Sequence, residues 1–96
     1  MKISKATRRQ VNGTSLQGYV TATYADLVKK FGKPAVFEGD KVRAEWMLDI
    51  DGTIVTIYDW KETIDVRNVT DWHIGGNGAS AVLLLSQILP NARKAF

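Results

Sequence analysis

The sequence predicts an α+β domain: an antiparallel sheet of three to four strands with two helices on one face, in the order β-α-β-β-β-α. Three observations carry this. Two β-rich runs flank Asp51-Gly52, the pair most favoured in a two-residue hairpin turn. A capped helical pattern follows Thr23, and a nearly all-apolar stretch, Ala79–Leu89, runs up to Pro90.

Taken in order, Leu16–Ala22 is rich in Tyr, Val and Thr and reads as a strand. Thr23 as N-cap, with Asp26 three residues on, opens a helix over Tyr24–Phe31. Leu27, Val28 and Phe31 form its apolar stripe, and Gly32 and Pro34 end it. Ala35–Lys41 is a loop. The hairpin Ala44–Ile50/Thr53–Trp60 has its register set by the turn, so Ile50 pairs with Thr53, Leu48 with Val55 and Trp46 with Ile57. One face then carries Ala44, Trp46, Leu48, Ile50, Val55 and Ile57, a core face. The other carries Glu45, Met47, Asp49, Ile54, Thr56, Tyr58 and Trp60. Lys61–Asn68 is a polar connection with a short strand expected near Ile64–Val66. Val69–Ile74 reads as the last strand, with Trp72 on one side and His73 on the other. Gly75–Gly78 breaks it, and the apolar helix Ala79–Leu89 follows, expected to be buried against the sheet and against the first helix or a second copy of the chain.

Composition narrows the function. Ninety-six residues, 45% of them hydrophobic, make one domain with a real core. The absence of Cys excludes disulfides, thiolate zinc sites and a cysteine nucleophile, and one His cannot build a histidine-rich metal site. No metal and no cofactor are therefore expected. No apolar run approaches a membrane span, and Met1–Gln10 lacks the apolar core of a signal peptide, so the expected location is cytoplasmic.

The net charge of +3 is unevenly placed. Residues 1–33 hold seven basic side chains and one acid, residues 34–92 hold four basic residues and nine acids, and Arg93 and Lys94 follow. Residues 1–15 read as a basic, flexible N-terminal segment ahead of a single domain over residues 16–96. Lys2, Lys5, Arg8 and Arg9 would be its contacts to nucleic acid, a reading ranked below solvated charge. The acidic middle suits a basic surface on a partner protein.

Two residue groups are candidates for function. Glu45, Met47, Asp49, Tyr58 and Trp60 share the non-core face of the hairpin and form a candidate partner-binding patch of acids and large side chains. Trp72, His73, Gly75, Gly76 and Asn77 form a strand, a glycine-rich turn and a helix start, an order that can cradle an anion. It lacks the Gly-Lys-Ser/Thr of a nucleoside-triphosphate loop, and the competing reading is a turn whose glycines let a helix pack closely. Catalysis is not expected. The single His73 has no evident nucleophile to serve, Glu45 and Asp59 face opposite sides of the hairpin, and Glu45 and Asp49 lie about 13 Å apart along one strand.

Several segments together resemble small accessory proteins of bacteriophages: Thr21–Pro34 as T-A-T-Y-x-x-L-x-x-x-F-G-x-P, Ala44-Glu45-Trp46, Ile57–Lys61, and Trp72-His73-Ile74-Gly75-Gly76 ahead of an apolar helix. The resemblance spans most of residues 20–89 and leaves out the first 19. It implies a phage-encoded protein that faces the host, with anti-CRISPR and other anti-defence proteins the group it suggests most. It carries over no catalytic residue. The expectation is a non-enzymatic, stoichiometric inhibitor that binds and blocks a bacterial host defence protein in the cytoplasm of the host cell. The alternative is a sponge for a nucleotide second messenger held at Gly75–Gly78, in a monomer or across a homodimer.

Overall fold

The computed structural model describes residues 1–96. It is α+β, as expected, but its single antiparallel sheet has seven strands, and three helices pack on it. The strands are β1 (Ile3–Lys5), β2 (Ser15–Thr21), β3 (Ala35–Val36), β4 (Ala44–Ile50), β5 (Thr53–Tyr58), β6 (Asp71–Gly76) and β7 (Ala92–Lys94). The helices are α1 (Arg8–Val11), α2 (Tyr24–Phe31) and α3 (Ser80–Ser86). The spatial order is β1-β4-β5-β6-β2-β7, and β3 also pairs with β4. Because β1 meets Leu48–Ile50 and β3 meets Ala44 and Glu45, the two short strands lie end to end along the free edge of β4.

The hairpin forms in the register set by its turn, with Ile50 opposite Thr53, Leu48 opposite Val55 and Trp46 opposite Ile57. Asp51 and Gly52 both have positive φ, 52° and 88°, the backbone a type I′ turn requires. The second helix spans the residues its signals mark. The Thr23 hydroxyl accepts from the Asp26 N–H at 3.1 Å, and Leu27 and Phe31 are buried.

The missing strands are short edge pieces held by pairing rather than by their own pattern. Residues 1–15, expected to be a flexible segment, contain β1 and α1. Here Thr7 and Gln10 form a reciprocal capping box: the Gln10 side chain accepts from the Thr7 N–H at 2.8 Å, and the Gln10 N–H donates to the Thr7 hydroxyl. Ala35 and Val36, expected in a loop, form β3, while the strand expected near Ile64–Val66 is replaced by a 3₁₀ turn, Val66–Asn68.

Alternation sorts the sheet into two faces. Trp46, Leu48, Ile50, Val55, Ile57, Trp72, Ile74 and Val20 point to one side, where Leu27 and Phe31 of α2 and Ala81, Val82 and Leu85 of α3 close the core. Trp46 and Trp72 meet edge to face at 5.2 Å. Each indole N–H donates to a backbone carbonyl, that of Gly32 at 2.8 Å and that of Ala22 at 2.9 Å. The last helix is shorter than its apolar run, and Leu83 stands outward, 56% exposed. No helix is long and apolar enough to cross a membrane. The opposite face of the sheet is roofed only in part, by α1, and there the candidate site lies.

Candidate functional site

The site begins with a row of residues directly opposite one another on five neighbouring strands. Glu45 of β4 pairs with Tyr58 of β5, Tyr58 with His73 of β6, His73 with Tyr19 of β2, and Tyr19 with Arg93 of β7. Side chains at paired positions share a face, so this row brings rings from distant parts of the chain together. His73 is the centre. Its ring lies 5.1 Å from Tyr19, 5.4 Å from Tyr58 and 6.0 Å from Trp60, and it stacks on Trp60 with an interplanar angle of 27°. Trp60, just beyond the end of β5, is 40% exposed.

Cations lie over these rings. The Lys41 and Lys61 ammonium groups lie 5.9 and 5.7 Å from the centre of the Trp60 ring, and the Arg93 guanidinium lies 5.6 Å from that of Tyr19. Arg8 sits 5.2 Å over Phe37 and bridges to Glu45 at 2.8 Å.

Between α1 and the sheet, next to Trp60, opens a cleft of about 480 Å³, a volume in the range of small-ligand sites. Glu45, Thr56, Tyr58 and Gly75 form its floor, Arg8 and Val11 of α1 one wall, and Phe37 and Val42 another. A Cβ on Gly75 would collide with the Thr56 hydroxyl, so glycine keeps this part of the floor flat.

Burial sets the protonation of the two central groups. Tyr58 is raised above its ordinary value, by burial first and then by the negative charge of Glu45 and by Tyr19, so it stays a neutral phenol. His73 is lowered, because burial disfavours the imidazolium more than Glu62 favours it. The unfolded chain therefore binds more protons at this position just below the ordinary histidine value of 6.5. The His73 contribution to stability is expected to be intact at pH 7 and to diminish as pH falls below 6.5. Urea midpoints at pH 7 and pH 5 check this: the difference should shrink in His73→Phe and would stay equal to that of the parent chain if His73 were indifferent.

The structure divides both candidate groups. Tyr58 and Trp60 of the first group line one cleft with Gly75 of the second, and His73, outside that lining, packs against the Tyr58 and Trp60 rings. Glu45 is not an exposed acid: it is 8% exposed and neutralised by Arg8. Asp49 is half-buried, and its carboxylate accepts from the Gly52 N–H at 2.7 Å, so it braces the hairpin turn. Met47, half-buried on the same strand, lies outside the ring cluster. Trp72 is fully buried on the opposite face and offers no stacking surface. Gly75 and Gly76 are not a turn but the end of β6, paired to β2 and β5. A Cβ on Gly76 would lie 2.5 Å from that of Ala81, so Gly76 admits α3 against the sheet, the close-packing role weighed against a phosphate cradle. Asn77 is exposed beyond the strand, and α3 begins without a side-chain cap.

Sequence reasoning did not bring Tyr19, Arg8, Lys41 and Lys61 to this site. Tyr19 alternates with the buried Gly18 and Val20, which marks its face but not its neighbour across the strand. A T-x-x-Q capping box at Thr7–Gln10 was the available sign that Arg8 is held on a helix. No protein-family model, curated protein or solved structure matches the chain.

Proposed function

We propose that the protein is a binding protein that sequesters a nucleotide, the base stacked on Trp60 beside His73 and the phosphates turned toward Lys41 and Lys61. The observation that carries this reading is the meeting of a half-open ring cluster, two lysines and a cleft of about 480 Å³ on one side of the sheet. Aromatic rings take any base by stacking, and ammonium groups complement phosphate. A sequestering protein needs affinity and no reaction, and the resemblance to phage accessory proteins suits a role in removing a host signal from circulation.

The test is a melting and fluorescence titration with adenosine, guanosine and uridine mono- and triphosphates. Ligand at a hundred times its Kd stabilises a one-site protein by about 2.7 kcal/mol, a readily measured rise in Tm. Trp46 and Trp72 are 2% and 0% exposed, so quenching of tryptophan emission reports Trp60. Trp60→Ala is expected to weaken binding at least tenfold while lowering the melting temperature of the free protein by much less than truncation of a fully buried tryptophan would. No rise in Tm with any of these nucleotides would reject the reading.

A second reading keeps the same rings for a protein partner, the blocking of a bacterial defence component. It is favoured by the 40% exposure of Trp60, since exposed tryptophans anchor protein interfaces. In that case Trp60→Ala abolishes complex formation. Lysine at Glu45 or Asp49 does not test it, because those carboxylates are engaged within the chain.

A further inference from the structure

We infer that the surface holds single-stranded nucleic acid, with two bases placed on either side of His73, one on Trp60 and one on Tyr19, and the connecting phosphates along Lys61, Lys41 and Arg93. This rests on the nucleotide reading above and extends it from one base to two. The paired row supplies the argument. Tyr19 on β2 and Trp60 just past β5 flank His73 on β6, with ring centres 5.1 and 6.0 Å from that of His73, so the two stacking rings are at most about 11 Å apart. Tyr19 lies beyond the cleft, which does not include it, and one base in the cleft does not reach its ring.

The rings on the two sides of His73 repeat one design. On one side Trp60 has Lys41 and Lys61 within 6 Å of its ring centre, and on the other Tyr19 has Arg93 at 5.6 Å. A ring with a long-armed cation over it offers a stacking surface and a phosphate contact together once the cation swings from the ring face to the phosphate, the pairing that sequence-tolerant single-strand binding uses. The charge on this face permits it. Glu45 is neutralised by Arg8, and the half-exposed Arg93 makes only a 3.9 Å pair with the exposed Asp71 and a 3.3 Å hydrogen bond from Nη1 to the Thr21 hydroxyl, both weak enough for a phosphate to displace. Glu62, the remaining carboxylate acting on the row, affects His73 at its centre. Two duplex strands would not present stacked-out bases to these rings, so the occupant is single-stranded.

The experiment compares adenosine monophosphate with the tetranucleotides d(A)4 and r(A)4, read by Trp60 fluorescence and by calorimetry, in the parent chain and in Tyr19→Ala, Arg93→Gln and Trp60→Ala. The tetranucleotides are expected to bind at least tenfold more tightly than the mononucleotide. Tyr19→Ala should weaken tetranucleotide binding by about 5- to 150-fold and leave the mononucleotide unaffected. Three phosphate contacts predict a slope of log K against log salt of about −2, falling to about −1.4 in Arg93→Gln, an exposed change that spares the core. Trp60→Ala should weaken both ligands. Equal affinity for monomer and tetramer, or tetramer binding indifferent to both Tyr19→Ala and Arg93→Gln, would overturn this inference and leave the one-base reading standing. Binding of neither ligand would overturn both.

Discussion

Asp59→Ala is expected to cost about 3–5 kcal/mol, the range for removing one partner from a buried ion pair, and thus much of the stability of a domain this size. The carboxylate is fully buried where β5 ends. One oxygen accepts from the backbone N–H groups of Arg43 and Ala44, at 2.8 and 3.0 Å, and the other from Arg43 Nε at 3.2 Å. Asp59 therefore ties the entry of β4 to the exit of β5. Removing it strands two backbone donors and a guanidinium whose Nη2 is already buried without a partner. Asp59→Asn keeps an oxygen for the backbone and loses the charge, so it should fall between parent and alanine. Urea unfolding of the three proteins checks the order. A loss under 1 kcal/mol in Asp59→Ala would mean that water replaces the carboxylate and that it does not organise the hairpin.

Trp72→Ala is the second large effect, about 3–5 kcal/mol for a fully buried tryptophan. It removes the hydrogen bond to the Ala22 carbonyl and the edge-to-face contact with Trp46. Trp72→Phe restores part of the volume and should recover part of the loss. The contrast with Trp60 is the informative part. Trp72 faces the helices and Trp60 the open side, so Trp72→Ala should lower the urea midpoint with ligand affinity retained in the folded fraction, and Trp60→Ala should do the reverse. Loss of affinity in folded Trp72→Phe at unchanged stability would contradict this division of the sheet.

The hairpin was legible because its turn is local. Asp51-Gly52 selects the turn type, the turn sets the register, and the register fixes which of Trp46 and Met47 goes inward. The second helix was legible for the same reason, since Thr23 and Asp26 start it within one turn and Gly32 ends it directly after its last residue. Strands β1, β3 and β7 were not. Each has only two or three residues, too few for alternation to show, and each exists because a longer neighbour offers it backbone partners. Gly75 and Gly76 misled in a similar way: glycine signals a turn when read along the chain, whereas here close approach of Thr56 and Ala81 from other elements requires it.

The sequence by itself determined the class, the hairpin register, the capped helix and the opposite facing of Trp72 and His73, all set by backbone geometry over a few residues. Only the tertiary structure decided that β2 lies between β6 and β7, which seats Tyr19 beside His73 and Arg93 beside Tyr19. It also decided that Arg8 returns to neutralise Glu45, turning an acid expected at a partner surface into the floor of a cleft. Strand order and long-range ion pairs depend on which surfaces meet when the core closes, and no residue's immediate neighbours encode that.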